Sequence, residues 1–139
     1  MPFRQCGSRV EHPVSLIDVY PTLADLSNLE GSTVKSESGP TLDGFSLRPF
    51  LTDPEFEQWE GPEGALTVLG VGLDKEDVFK QNYAYRTRDW RYILYANGDE
   101  ELYDHQNDPY EWTNLAADEA YADKKQQLRD QMMGIVNVN

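Results

Sequence analysis

Cysteine and histidine are nearly absent from this chain of 139 residues, which contains one cysteine and two histidines. A single cysteine cannot form a disulfide within the chain, and it cannot supply the ligand set of a structural zinc site. Two histidines leave little material for a histidine-based catalytic or metal centre. The sequence therefore offers few of the side chains from which self-contained catalytic sites are built.

Positive charge is also scarce, because 12 Lys and Arg residues stand against 25 Asp and Glu residues and leave a net charge of −13. Such a chain is repelled by nucleic-acid phosphates and by anionic lipid headgroups, so we expect neither nucleic acid nor a membrane as a partner. No apolar run approaches the ~20 residues that a membrane helix needs. The first residues, Met1 to Cys6, lack the apolar core of a secretory signal.

Aromatic residues, in contrast, make up 12% of the chain, more than acidic disordered tails carry, so we expect a folded core. Residues 82–88 and 90–95 alternate along the chain, as half-buried strands do. Residues 65–69 are a further candidate strand, and residues 100–103 are expected to form the strand that returns after a turn. Asn97-Gly98 is typical of a tight hairpin turn, because both positions tolerate positive φ. The pattern predicts three or four short antiparallel strands.

A helix is predicted to follow these strands, from an N-cap at Asp118 to about Gly134. Four apolar side chains along it share one stripe, at spacings of seven, four and three residues. They are Tyr121, Leu128, Met132 and Ile135. We expect the stripe to lie on the sheet, so the fold class of this part is α+β.

The beginning of the chain predicts a short strand at Val14–Ile17 and then a helix. Asp18 is the expected N-cap of that helix, and Leu26 is its expected end. Pro21 falls in the first turn, where a missing backbone N–H costs nothing.

Turn-forming residues dominate the next part of the chain. Residues 28–43 are rich in Ser, Gly and Glu and predict a loop, and Ser46 is expected to cap a short helix over Leu47–Leu51. Residues 53–64 contain several acidic residues, two prolines and Trp59. They predict an exposed connection and the boundary between two parts of the chain.

Cys6 is the first candidate for chemistry, because a free thiol can act as a nucleophile. Only His12 lies near it in sequence as a base, and the surrounding residues lack the apolar framing of a rigid active site. An inert thiol is therefore the favoured interpretation. An independent enzyme would have to work with His12, His105 and carboxylates, and no acid–base pair among them is identifiable.

His105 is the second candidate, because it lies between Asp104 and Asp108 and could take part in a metal or acid–base site. The alternative is structural. Asp104, Asn107 and Asp108 would then hold a turn before Pro109 through hydrogen bonds from their side chains to the backbone. The structural interpretation is favoured.

Three arginines and three tryptophans are candidates for binding. The arginines are Arg86, Arg88 and Arg91, and the tryptophans are Trp59, Trp90 and Trp112. The arginines could bind a sulfate, phosphate or carboxylate, but pairing with the surrounding Asp and Glu side chains is favoured. The tryptophans could stack on sugars, but packing in the core is favoured.

Three stretches of the chain carry a resemblance to a known family. They are PVSLIDVYPTLADL at residues 13–26 with LDGFSL at 42–47, YRTRDWRYI at 85–93, and ELYDHQNDPYEWTNL at 101–115. Together, in this order and spacing, they resemble the C-terminal region of a formylglycine-dependent sulfatase. The iduronate-2-sulfatase and choline-sulfatase-like bacterial branch is the nearest.

The resemblance implies how the chain is divided. Residues 1–52 would be the C-terminal tail of an alkaline-phosphatase-like α/β catalytic domain, consisting of a strand, a helix and a loop. Residues 53–64 would be a connection. Residues 65–139 would be the sulfatase C-terminal subdomain, a short antiparallel sheet covered by the final helix.

The resemblance also implies the chemistry of a full-length parent. Such sulfatases convert a Cys or Ser in a Cys/Ser-x-Pro-x-Arg motif to formylglycine, and Asp and Asn side chains hold a calcium ion. Cys6-Gly7-Ser8-Arg9 lacks the proline of that motif. The nucleophile and the metal ligands belong upstream of residue 14, so no catalytic or metal-ligating residue can be assigned in this chain, and it is expected to bind no cofactor.

The C-terminal subdomain lies beside the active-site mouth in this family. Arg86, Arg88 and His105 are therefore candidates for contacts at the rim of the substrate site. The resemblance also implies a periplasmic or secreted location.

The first functional hypothesis is that the chain is the C-terminal fragment of a sulfatase, inactive alone and partnered by a missing upstream catalytic domain. The apolar face of Val14–Leu26 would then be left exposed. The alternative is a stand-alone interaction module derived from a sulfatase, in which the arginines and tryptophans bind a sulfated carbohydrate. The net charge of −13 disfavours strong binding of polyanions.

Overall fold

A computed structural model describes Gly7 and residues 9–28, 44–70 and 80–136 of the chain. The chain forms two compact units, Met1–Gly61 and Pro62–Asn139. The predicted loop at 28–43 lies outside the described residues, apart from Asn28, and so does Cys6. No helix in the described ranges is long and apolar enough to span a bilayer.

The first unit contains a 3₁₀ turn, Leu16–Asp18, which leads directly into helix α1, Val19–Leu26. The predicted helix is confirmed, but the strand at Val14–Ile17 is wrong. The Asp18 carboxylate accepts a hydrogen bond of 2.8 Å from the backbone N–H of Ser15, and the Asp18 N–H donates to the Ser15 carbonyl at 3.1 Å. The backbone therefore bonds locally around Asp18 and does not extend toward a neighbouring strand.

Asp18 and Thr22 also fix the chain that returns to α1. The Asp18 carboxylate accepts from the Phe45 N–H at 3.0 Å, and the Thr22 hydroxyl accepts from the Leu47 N–H at 2.9 Å. Asp18 is only 3% exposed, so its charge is buried but hydrogen-bonded. A Cβ at Gly44 would lie 2.2 Å from the Ile17 carbonyl oxygen, so this approach requires glycine.

Helix α2 covers Arg48–Thr52, one residue later than predicted, because Leu47 occupies the N-cap position. The Ser46 hydroxyl still accepts a hydrogen bond of 3.2 Å from the Arg48 N–H. Trp59 is a half-buried residue of the predicted connection at residues 53–64. Its indole donates to the Ser46 carbonyl at 2.9 Å, and its ring packs 5.3 Å from that of Phe50.

The second unit is built on a four-stranded antiparallel sheet in the order β1-β2-β3-β4. The strands are β1 Ala65–Gly70, β2 Gln81–Arg86, β3 Trp90–Leu94 and β4 Glu100–Asp104. The four predicted strands are confirmed. Between β3 and β4 only Gly98 of the Asn97-Gly98 pair has positive φ, at 92°. The loop is closed by the Tyr95 N–H, which donates to the Asp99 carbonyl at 2.9 Å.

A final helix, α3, covers Ala122–Val136 and lies on one face of the sheet. It follows a short 3₁₀ turn, where the Asp118 side chain accepts from the Ala120 N–H at 2.9 Å. The predicted stripe is confirmed, because Leu128 and Met132 are buried in the core. The buried core residues are Tyr83, Tyr85, Tyr92, Leu102, Leu128 and Met132. The predicted α+β class, an antiparallel sheet covered by a C-terminal helix, is thus the observed one.

Glu100 is the polar tie between the sheet and α3. Its carboxylate accepts from the Tyr92 hydroxyl at 2.5 Å, from Lys125 at 2.9 Å and from Arg129 at 3.0 Å. The two cations come from α3 and the hydroxyl from β3, so one carboxylate joins both layers. These three hydrogen bonds, two of them from cations, offset the desolvation cost of placing the Glu100 carboxylate at the edge of the core.

Candidate functional site at one end of the sheet

The three predicted rim residues lie at one end of the sheet of the second unit. The β2–β3 turn, residues 87–89, meets the loop that follows β4, residues 105–114, which we call the site loop. The backbone N–H of His105 donates to the Asp89 carbonyl at 2.8 Å and joins the two segments. Arg86 ends β2 and Arg88 lies in the turn, so all three candidates are in neighbouring segments.

Arg86 and Arg88 have different environments. The Arg86 guanidinium donates to the backbone carbonyls of Thr87, Arg88 and Trp90, so it closes the turn. The Arg88 side chain is exposed, and within the described residues it makes no hydrogen bond or ion pair. Of these two residues, Arg88 is therefore the one that can receive an anionic ligand without breaking a contact.

Glu111 lies at the centre of the site and brings Arg91 and His105 together. Its carboxylate accepts from Arg91 at 2.8 Å and lies 2.6 Å from Nε2 of His105. Burial acts to raise the pKa of Glu111, but the hydrogen bonds from His105 and Arg91 outweigh it and hold this pKa below its ordinary value of 4.5. Pairing with a carboxylate, the favoured interpretation of the three arginines, is confirmed for Arg91 and, among the described residues, wrong for Arg86 and Arg88.

The site loop is held by two aspartates, as the sequence predicts. Asp104 accepts from the Gln106 N–H at 3.0 Å and from the Asn107 amide at 2.7 Å. Asp108 accepts from the Thr113 N–H at 2.8 Å, and this bond lowers the pKa of its carboxyl. The structural interpretation of the acidic residues around His105 is therefore confirmed.

Tyr110 and Trp112 are the exposed part of the site loop. Tyr110 is 74% exposed and Trp112 is 84% exposed. Their rings stack on each other, with centroids 5.5 Å apart and an angle of 24° between the ring planes. Core packing, the favoured interpretation for the tryptophans, is confirmed for Trp59 and Trp90 and wrong for Trp112.

Sequence reasoning missed Tyr110 and Glu111. Glu111 adopts positive φ, at 59°, which non-glycine residues rarely do. The Glu111 side chain contacts Arg91 and His105, and no local pattern predicts these contacts or the positive φ. A sequence signal for the exposed aromatic pair does exist. Tyr110 and Trp112 lie among turn-forming residues, outside any segment in which apolar and polar residues alternate, so no strand pattern predicts their burial.

The family resemblance implies a calcium ion, and the described residues do not fit one. Among residues 9–28, 44–70 and 80–136, no group of three His, Cys, Asp or Glu side chains could hold a metal ion. The oxygens of Asp104, Asp108 and Glu111 already accept hydrogen bonds within the site loop or from β3. No catalytic step through calcium is derived for this chain.

Lowering the pH is expected to weaken the second unit through Glu111. A carboxyl whose pKa is depressed by folding stabilises the folded state above its unfolded pKa, and this stabilisation is lost as the pH falls through the lower folded value. We therefore expect the urea midpoint to fall as the pH drops below about 4.5, and Glu111→Gln to flatten this dependence. Urea titrations over that pH range measure both effects. The exposed Glu119→Gln is the matched control, and an equal flattening by both variants would contradict the assignment to Glu111.

The chain matches a family model described as N-sulphoglucosamine sulphohydrolase, C-terminal, over residues 2–137. It is 28% identical over 144 residues to bovine arylsulfatase K, covering 98% of this chain and 24% of that protein. It is 36% identical over 104 residues to a choline-sulfatase of Rhizobium meliloti, covering 75% of this chain and 18% of that protein.

A solved structure of an enzyme in complex with its substrate D-glucosamine-2-N,6-O-disulfate is also similar. It aligns with a TM-score of 0.65 and 26% identity, over 84% of this chain and 22% of that one. The chain thus spans less than a quarter of the length of these relatives. Because the family model covers nearly the whole sequence, this chain belongs to the family of sulfatase C-terminal domains.

Proposed function

We propose that this chain is the C-terminal subdomain of a sulfatase that hydrolyses sulfate esters of carbohydrates, and that it has no turnover by itself. The nucleophile and the calcium site would belong to a catalytic part that precedes it. The observation that carries the proposal is the match of nearly the whole chain to less than a quarter of each relative. A sulfated carbohydrate as substrate is supported by the family description, which names an N-sulfated sugar, and the ester by the 6-O-sulfate of the glucosamine bound to the similar enzyme.

An exposed apolar surface in the first unit supports the need for a partner. Six large apolar side chains within ten residues are between 45% and 90% exposed. They are Val14, Leu16, Ile17, Val19, Tyr20 and Leu23, which we call the apolar surface. Contiguous apolar patches of this kind mark interaction sites in soluble proteins.

The polar side of the same segment is already occupied. Asp18 and Thr22 use their side-chain oxygens on the backbone of Phe45 and Leu47, and both residues are buried. The apolar surface is therefore the side of α1 and its preceding turn that remains available to pack against another structural element. We propose that the catalytic part of the sulfatase covers it.

A hybrid enzyme tests this proposal. The matched C-terminal part of bovine arylsulfatase K is replaced by this chain, and hydrolysis of a chromogenic aryl sulfate is measured with calcium present. We expect turnover by the hybrid and none by the purified chain, because the chain lacks a nucleophile motif and the hybrid contains one. A shortened arylsulfatase K without either C-terminal part is the control, and it should be much less active than the hybrid.

Two results would overturn the proposal. Turnover by the purified chain alone would require a catalytic site within the chain, and Cys6 and His105 would then be the first candidates for catalytic residues. A properly folded hybrid that is no more active than the shortened enzyme would show that this chain does not replace a sulfatase subdomain. Circular dichroism and sedimentation of the hybrid establish its folding before the assay.

A further inference from the structure

The stacked pair Tyr110 and Trp112 lies outside the core of the second unit. Both side chains are mostly in solvent, and neither belongs to the buried core or to the residues packed against it. Large aromatic rings are the most costly side chains to leave exposed, because each can bury 150–250 Å². A surface that keeps two of them in contact with each other and with water is suited to a ligand that has flat apolar faces.

We propose that Tyr110 and Trp112 form a stacking platform for the ring of an anionic sugar, with Arg88 of the neighbouring β2–β3 turn receiving the sulfate or carboxylate group. The inference rests on the proposed function and deepens it, because it names residues that select the substrate. A pyranose ring presents a face of C–H groups that fits an aromatic plane, and its hydroxyls stay in water.

The platform is held in place by contacts that do not involve the two rings. Asp108 accepts a hydrogen bond from the Thr113 N–H, and the Glu111 N–H donates to the Asp108 carbonyl at 3.2 Å. Between the two aromatic residues, Glu111 is tied to Arg91 and His105. A ligand that binds here therefore does not have to order the backbone of the loop, which lowers the entropic cost of binding.

The local charge favours an anionic sugar over a neutral or cationic one. His105 connects the site loop to the β2–β3 turn through the Asp89 carbonyl, so Arg88 lies in the segment next to the platform. Glu111, which lies between the two aromatic residues in the sequence, already has two basic partners, Arg91 and His105. Arg88 is thus left as a cation with no ion pair among the described residues, in a chain whose net charge of −13 repels extended polyanions.

Titration of the complete chain with single sugars tests the inference without any need for turnover. The chain has three tryptophans, so three indole N–H signals are expected in a ¹H–¹⁵N correlation spectrum, and Trp112→Phe identifies one of them. The probes are N-acetylglucosamine 6-sulfate, unsulfated N-acetylglucosamine and inorganic sulfate, each up to about 10 mM. We expect the sulfated sugar to shift the Trp112 signal and to leave the Trp59 and Trp90 signals in place.

The variants separate stacking from charge. Trp112→Ala and Tyr110→Ala should weaken binding of the sulfated sugar by about tenfold each, since each removes one aromatic contact. Arg88→Ala should weaken binding of the sulfated sugar and leave the unsulfated sugar unchanged. Leu69→Ala is the matched control, because Leu69 is an exposed apolar residue of the same unit, at 67% exposure.

Several results would overturn the inference. They are no movement of the Trp112 signal with the sulfated sugar, an equal response to inorganic sulfate alone, and a shift that depends on protein concentration without sugar. An equal response to inorganic sulfate would indicate an anion site in which the rings do not bind the sugar. A shift that depends on protein concentration would indicate an interface between copies of the chain. The titration is independent of the hybrid assay, so a failed platform and a failed sulfatase assignment give different results.

Discussion

Replacing Tyr92 with alanine is expected to lower the free energy of unfolding of the second unit by about 3–5 kcal/mol. Tyr92 is fully buried in β3, and its hydroxyl donates to Glu100 at 2.5 Å. Alanine would leave a cavity at the centre of the core and would remove one of the three donors to the Glu100 carboxylate. Domains of this size are stable by only about 5–15 kcal/mol, so much of the variant should be unfolded at low urea concentrations. Urea unfolding followed by far-ultraviolet circular dichroism measures the loss.

Two matched variants show which part of Tyr92 matters. Tyr92→Phe keeps the ring and removes the hydroxyl, so it should cost about 1 kcal/mol or slightly more. Tyr110→Ala removes the same side chain from a position that is 74% exposed, and it should change the stability by less than about 0.5 kcal/mol. If Tyr92→Ala were no more destabilising than Tyr110→Ala, the described core would be wrong.

Polar substitutions in the apolar surface are expected to abolish the docking of the chain on a sulfatase catalytic part. Leu16 is 90% exposed and Leu23 is 57% exposed, so the double variant Leu16→Ser and Leu23→Ser removes apolar area without disturbing the described packing of the first unit. The loss of buried area should weaken docking by several kcal/mol, at about 25 cal/mol for each Å². The double variant should also self-associate less than the original chain.

Sedimentation velocity measures the self-association of each variant. Docking is measured by adding each variant to shortened arylsulfatase K and following the hydrolysis of an aryl sulfate. Leu69→Ser is the matched control, because Leu69 has comparable exposure but lies in the second unit. The prediction fails if the double variant and the control behave alike in both measurements.

The second unit follows closely from local sequence patterns. Residues of β2 alternate between buried and half-buried, and Leu128 and Met132 repeat at helical spacing, so the period indicates which faces of these two elements are buried. The adjacency of β2, β3 and β4 also follows, because residues 87–89 and 95–99 form short connections between these antiparallel strands.

The first unit shows where such patterns fail. Val14–Ile17 has the composition of a strand, but the Asp18 carboxylate captures the Ser15 N–H and turns the backbone. Trp59 follows acidic residues and prolines, yet its indole finds the Ser46 carbonyl thirteen residues earlier. The turn at Asp18 and the packing of Trp59 both involve specific side-chain hydrogen bonds, and the spacing of apolar residues does not predict such bonds.

The candidate site was predicted in part. The sequence indicated that Arg91 would pair with a carboxylate and that Asp104 and Asp108 would hold a turn, because these follow from the chemistry of the side chains. The roles of Glu111 and Trp112 were not predicted. Glu111 has positive φ and contacts partners 6 and 20 residues away, and such long-range contacts have no local sequence signal.

Restoration of turnover in two separate pieces tests the central proposal most directly. Purified chain is titrated into arylsulfatase K that lacks its matched C-terminal part, and hydrolysis of an aryl sulfate is followed with calcium present. The account predicts activity that rises with the concentration of the chain and saturates, and that is lost with Leu16→Ser and Leu23→Ser. Unchanged activity of the shortened enzyme at saturating chain, or equal turnover by the chain alone, would contradict it.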